Sequence, residues 1–354
     1  MRIIYTTPWN MSRKPLTRVA IFLTIISCSD LALANTEKSD VFIPDVRLSV
    51  AYDYLTWANP SYSGSDSLQL ARDSYAGFQY RKPIDNGGTL ITSFKLQNFT
   101  NADLGGVNNT REAWFGYSSS ERQVEVGILK NVETYLGGAS DDPLVNSGAN
   151  TLTAVLDQDT FVSGMGVAAE GINYLQKDFI IDGLDAIVEF SVNDAEMGSG
   201  SPSLKLGYRL SNDKEDTAGG KVTGGDELFV LMDTTTGFKR IGGRVFIGDF
   251  TIFGMMQGGG DALGGQDKKA RFSSIEYQMS DTMKLVSTSG VSSFNSSGSH
   301  TKSSSAQALV YSPIEGVSIT IGNKTSVKEN SGGSEYEYYN SSVTVEYHLG
   351  STML

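Results

Sequence analysis

From Val46 to Leu349 the chain alternates apolar and polar residues in short runs, broken by turn-forming residues. In Val46–Leu55, the residues Val46, Leu48, Val50, Tyr52 and Tyr54 share one face, and Arg47, Ser49, Ala51 and Asp53 the other. In Thr89–Phe99, Leu90, Thr92, Phe94 and Leu96 oppose Thr89, Ser93, Lys95 and Gln97, with Ile91 the exception. The last run sets Val343, Val345, Tyr347 and Leu349 against Ser342, Thr344, Glu346 and His348. A period of two predicts strands, and almost no helical period lies between them. Sixteen strands are predicted. They run near Val46–Leu55, Gln69–Tyr80, Thr89–Phe99, Arg111–Ser118, Gln123–Leu129, Val162–Leu175, Asp185–Asn193 and Ser203–Leu210. The others run near Glu227–Met232, Phe238–Phe246, Asp249–Met256, Ala270–Met279, Met283–Ser292, Ser305–Tyr311, Val317–Ser326 and Tyr338–Leu349.

The connections alternate in length. Ser118–Arg122, Ile247–Asp249, Ser280–Thr282 and Ser312–Glu315 are short. Ala58–Leu68, Thr100–Thr110, Lys130–Phe161, Gln257–Lys269, Asn295–Ser304 and Val327–Glu337 are long. Ser211–Asp226 breaks the rule by falling on the short side. Charges confined to one parity imply a polar interior and an apolar exterior. Together these features predict an all-β fold, a transmembrane antiparallel β-barrel of about sixteen strands. No run of 18 apolar residues is present, so helical spans are not expected. Trp114 is placed on the outward parity, as part of an aromatic girdle or a subunit contact. The runs Gly258–Asp267 and Ser292–Ser305 are low in complexity and predict solvated loops.

The start of the chain reads as an export signal. A basic stretch after Met11 is followed by the apolar run Val19–Ile26 and by Ala32-Leu33-Ala34. Cleavage after Ala34 is expected, with 1–34 as signal peptide and 35–354 as the barrel. Ile25-Ile26-Ser27-Cys28 resembles a lipobox and offers a lipidated Cys28 as the alternative. Cleavage after Ala34 removes the single cysteine, leaving no disulfide and no thiolate metal site. It also removes Arg2, Arg13, Lys14, Arg18 and Asp30, four basic residues and one acid, which takes the formal charge from −12 to −15. An acidic chain argues against nucleic acid as a partner and suits a cation-attracting pore.

Three segments resemble the general trimeric porins of Gram-negative outer membranes. Gly77-Phe78-Gln79-Tyr80, Asn86-Gly87-Gly88 and Ser93-Phe94-Lys95-Leu96 resemble that family's second and third strands and first periplasmic turn. Thr110–Tyr117 and Val124–Gly127 resemble its fourth and fifth strands, and Ser342–Leu349 its closing strand. The resemblance implies a homotrimer in outer-membrane lipid and lipopolysaccharide, assembled by the barrel assembly machinery through the C-terminal strand. It also implies a long third loop folded into the lumen as a constriction, here 130–161. The chain departs from the family in several places. Ile128 and Tyr75 stand where arginines are usual, the acidic-aromatic loop motif is absent, and Gly350–Leu354 follows the closing strand. The constriction is therefore expected to be less basic than in well-known members.

Selectivity arises where charges meet at the narrowest point between low-dielectric walls. The family position points to Arg111 for the basic wall, and strand parity adds Arg47 and Lys95. A charge facing lipid at mid-depth costs roughly 2–4 kcal/mol, which favours the lumen. On the loop the candidate acids are Glu133, Asp141, Asp142, Asp157 and Asp159. Tyr135 is expected to pack the loop on the wall. The expected function is passive diffusion of small hydrophilic solutes and ions with weak cation selectivity. It requires no cofactor and no turnover chemistry. A non-conducting structural or surface-interaction barrel, or a secreted β-sandwich, is the competing class.

Enzymatic readings find little. The two histidines, His300 and His348, join no triad spacing, and no paired His or Cys offers a metal site. His348 keeps a wall-mounted Ser/His hydrolase in view. Asp261 and Asp267 lack the ligand spacing of a calcium loop.

Overall fold

A computed structural model describes residues 40–58, 64–70, 74–84, 87–97, 110–129, 144, 169–191, 202–209, 227–233, 239–259, 267–295, 300–330 and 335–349. The strands are β1 (Val41–Trp57), β2 (Ser65–Leu70), β3 (Tyr75–Pro83), β4 (Thr89–Gln97), β5 (Thr110–Ser118) and β6 (Arg122–Leu129). Then come β7 (Ala169–Gln176), β8 (Leu184–Ser191), β9 (Pro202–Arg209), β10 (Glu227–Asp233), β11 (Lys239–Ile247) and β12 (Phe250–Gly259). The series ends with β13 (Asp267–Ser280), β14 (Met283–Asn295), β15 (His300–Ile314), β16 (Val317–Asn330) and β17 (Glu335–Leu349).

From β3 to β17 each strand pairs antiparallel with the next, and β1 closes the ring between β17 and β3. The strands β2 and β3 lie along the same edge of β1, which pairs Val50 with Leu70 and Arg47 with Tyr75. They are two halves of one barrel strand, so the ring has sixteen positions. Between them the ladder loses register, and the Ser74 hydroxyl takes its place. That hydroxyl accepts from Ser49 N at 3.0 Å and donates to Ser49 O at 3.4 Å. Among the described residues each strand of the ring β1 and β3 to β17 has a partner on both edges, the condition a sheet must meet to cross lipid.

The faces are inverted relative to a soluble protein. On β1, Val50, Tyr52 and Tyr54 are exposed, whereas Asp45, Ser49 and Asp53 are buried. The same holds on β17, where Val343 and Val345 are exposed and Ser342, Thr344 and Glu346 buried. Side chains alternate strictly along a strand, so one parity forms an apolar outer belt and the other a polar lining. The chain is a transmembrane β-barrel.

Two expectations are corrected. Trp114 points inward, with 7 % of its surface exposed. It stands in register with Gly127, where a Cβ would come within 2.3 Å of Ala113 O and 2.8 Å of Trp114 Cα. The ring packs with Ile91 and Leu129, and its Nε1 donates to Glu112 Oε2 at 3.4 Å. Ile91 is accordingly an inward residue. Secondly, much of Gln257–Lys269, Asn295–Ser304 and Val327–Glu337, expected as loop, is strand, because β12 to β17 extend to Gly259, Asp267, Asn295, His300, Asn330 and Glu335. Serines and threonines on both faces carry no apolar alternation there, yet the ladder still pairs Ser304 with Ser326 and Thr301 with Glu329.

Gly127 has φ +139°, a conformation side chains rarely adopt, in addition to its crowding. Gly127→Val is therefore expected to cost about 3 kcal/mol through strain and overpacking. The check is the urea midpoint of the folded, heat-modifiable band. An unchanged midpoint would remove this account of the Trp114 packing.

Candidate functional site: the lining of the lumen

The polar parity gathers two charged walls. The first spans β17, β1, β3, β4 and β5. Register sets Arg47 beside His348 and Tyr75, and Lys95 beside Glu112. Lys95 Nζ lies 2.7 Å from Asp45 Oδ2 and 3.4 Å from Glu112 Oε2, with the Tyr75 ring centroid 5.1 Å away. The Tyr75 hydroxyl donates to Asp45 Oδ1 at 2.9 Å, and His348 Nε2 lies 3.3 Å from the same oxygen. Arg47 Nε donates to Glu346 Oε2 at 2.8 Å. Next along the ring, Glu125 accepts from Gln123 at 2.6 Å and from Asn173 at 3.4 Å. This wall is rich in carboxylates, with Arg47 and Lys95 held among them.

The second wall spans β11 to β16 and is mainly basic. Arg240, fully buried, gives Nε and Nη2 to Gln257 Oε1 at 3.1 and 2.8 Å. Lys302 on β15 stands directly opposite Lys328 on β16, with Lys324 two inward positions below on the same strand, past Ser326. Lys284 pairs with Glu276 at 2.6 Å. Like charges set opposite each other disfavour a sheet, so a lysine pair retained at Lys302 and Lys328 marks this wall as electrostatically specialised. Acids on one side of a lumen and bases on the other set up a transverse field.

Of the residues expected from sequence, Arg47 and Lys95 line the lumen, and their described partners are carboxylates of neighbouring strands. The backbone of Arg111 is the extra residue where the ladder shifts between Lys95–Glu112 and Leu96–Thr110. Its side chain lies outside the described residues, as do Glu133, Tyr135, Asp141, Asp142, Asp157 and Asp159. Sequence reasoning missed Arg240, Lys302, Lys324 and Lys328. Lys302 and Lys328 sit in runs read as loop, where strand parity was not applied, whereas Lys324 lies in the predicted strand Val317–Ser326 and was passed over. His348 faces the lumen beside Asp45 and Tyr75, which removes the outer-wall setting of the hydrolase reading. Among the described residues no group of His, Cys, Asp or Glu is arranged to hold a metal.

One residue between β6 and β7 is described. Leu144 is fully buried against Val286, Ala306, Ala308 and Val310, inward residues of β14 and β15. Around the ring β14 lies eight strands beyond β6, and β15 seven in the other direction. Leu144 therefore sits against the wall across the lumen from the strand it follows.

No protein-family model matches the chain, and no curated protein does. Solved structures do. The outer-membrane channel DcaP of Acinetobacter baumannii is 11% identical with a TM-score of 0.63, covering 90% of this chain and 100% of that one. The anion-selective porin from Comamonas acidovorans is 11% identical with a TM-score of 0.62, covering 88% and 100%. The outer-membrane expressed OmpT of Vibrio cholerae is 9% identical with a TM-score of 0.58, covering 89% and 100%. The shared property is the fold, that of outer-membrane β-barrels.

Proposed function

We propose that the protein is a porin-like channel of a Gram-negative outer membrane, passing small hydrophilic solutes and ions by diffusion. The observation that carries the reading is the inverted wall, with charges buried inside a closed ring and an apolar belt outside. A barrel built that way gains nothing from an ionic lining unless water and solute reach it. The segment 130–161 is the constriction, an assignment supported by Leu144 on the far wall. Arg47, Lys95 and Arg111 form its basic side, and Glu133, Asp141, Asp142, Asp157 and Asp159 its acidic side. The net charge supports weak cation selectivity, and the porin-like fold supports a homotrimer.

The test is planar-bilayer conductance of the detergent-purified protein in a KCl gradient. Stepwise insertions in threes with a cation-side reversal potential are expected. An anion-side potential would keep the pore and discard the selectivity, making the lysine wall dominant. A folded, heat-modifiable barrel without steps would instead support a non-conducting barrel. The apolar patch of Phe229, Phe253, Met255, Ala270 and Phe272 on the inner wall favours that second reading, since apolar surface suits a packed interior better than a water-filled one.

A further inference from the structure

The outer belt has a polar window. A strand crosses the hydrocarbon layer in about ten residues. Ser287 and Ser289 are the fifth and seventh residues of β14 from its short-turn end, and Asn323 and Thr325 the seventh and ninth of β16. Counted the same way, Gln307 and Ser305 are eighth and tenth on β15, Ser273 eighth on β13 and Ser341 ninth on β17. All lie on the outward parity. On β12 that depth is apolar at Met256, seventh, and on β1 the register sets Tyr54 opposite Ser341, with Asp66 of β2 beyond it.

The cross-strand ladder shows how sharply the window is framed. One row reads Val245, Ile252, Ile275, then Ser287, Gln307, Asn323, Ser341, then Tyr54. The row beneath is apolar from Tyr277 through Leu285, Leu309 and Ile321 to Val343. The row above places Gly243, Gly254, Ser273, Ser289, Ser305 and Thr325 side by side. These small side chains form the floor of an outward-facing groove of about 830 Å³. Ser273 and Ser289 hydrogen-bond each other at 2.9 Å.

Hydroxyls and amides turned to hydrocarbon are unfavourable. Within the layer another integral protein brings matching groups to them. A barrel wall is convex, and two smooth barrels meet along a narrow strip. Small residues flatten this wall and allow close approach. The window is flanked by opposite charges, exposed Arg271 on its β13 side and Glu337 on its β17 side. Two copies in the same membrane orientation face each other with left and right exchanged, so the β13 side of one meets the β17 side of the next.

We propose that the β13–β17 window is the face through which one copy of this chain binds a second. The inference rests on the oligomeric reading above, not on conduction. Ser289→Trp and Ser305→Trp, which fill the groove, are expected to convert the detergent-purified oligomer to monomer by light scattering. Heat-modifiability and single-channel steps remain as the fold control. Ile172→Trp, on the belt at β7, leaves the oligomer intact. Arg271→Glu weakens association, and adding Glu337→Arg restores it. If a tryptophan variant fails to fold, the charge exchange still decides the question. Retained oligomers in both tryptophan variants, equal loss with Ile172→Trp, or no rescue by the exchange overturns the proposal. A monomeric wild type that conducts, or one whose window holds lipopolysaccharide instead, overturns it and leaves the channel reading standing. A non-conducting oligomer lost in both tryptophan variants supports the face and overturns only the channel.

Discussion

Leu144→Asp is expected to raise the single-channel conductance by a factor of a few and to make the open level noisier. Leu144 is buried in a cluster with Val286, Ala306, Ala308 and Val310. Truncating a buried leucine costs about 2–5 kcal/mol, and a carboxylate placed there adds an uncompensated charge in an apolar contact. The contact is made from the connecting segment and not from a strand, so the ring of strands keeps its pairing while this contact is lost. Leu144→Met, close in volume, is expected to leave conductance near the wild-type value. An unchanged step size in Leu144→Asp would show that the segment does not limit flow, and the constriction would have to be sought elsewhere on the wall.

The second large effect is expected at Lys95. Its ammonium lies between Asp45 and Glu112, with Tyr75 alongside, and 7 % of the residue is exposed. Lys95→Met leaves two buried carboxylates facing each other without their cation. Breaking a buried ion pair from one side costs about 3–5 kcal/mol, so the thermal or urea transition of the folded barrel falls. The sign of the electrical effect follows from the charge removed. The lumen becomes one unit more negative, and the reversal potential in a KCl gradient moves toward the cation side. Asp45→Asn together with Lys95→Met removes one negative and one positive charge. It is expected to recover part of the stability and return the reversal potential toward wild type. Equal destabilisation in the single and double variants would mean that packing, not charge, holds this corner of the wall.

Much of this fold was legible because a strand repeats every two residues and one belt must be apolar. Val46 to Tyr54 and Val343 to Tyr347 announced their faces, and short turns such as Asp281-Thr282 announced the antiparallel neighbours. Arg47 and Lys95 were readable as inward from the same parity. Trp114 was not, because the parity counted along its own strand placed it outward. Its orientation is set by the shift of register between Lys95 and Leu96 and by the space over Gly127, which lies on the next strand. The partners of Lys95 come from β1 and β5, a proximity no local window contains. Lys302 and Lys328 were lost for a different reason. Their serine-rich surroundings look like a loop to any reading that needs apolar contrast, although the backbone ladder needs none. The break between β2 and β3, bridged by Ser74, left no sequence signature at all.

The seam between β1 and β17 joins Val46 to Leu349 and Trp57 to Tyr338. It has a temporal meaning as well as a geometric one. Every other strand pairing in the ring joins neighbours along the chain, and this one must wait for the last strand to arrive. Loop-closure entropy grows only slowly with length, but contacts so distant in sequence form late. A growing sheet of fifteen strands still carries two raw edges, each able to recruit the wrong partner. Maturation of this barrel is therefore a single locking event, and the stretch Tyr338–Leu349 acts as its key. A chain stopped before that stretch would not make a narrower pore. It would remain an open sheet, for which lipid has no place.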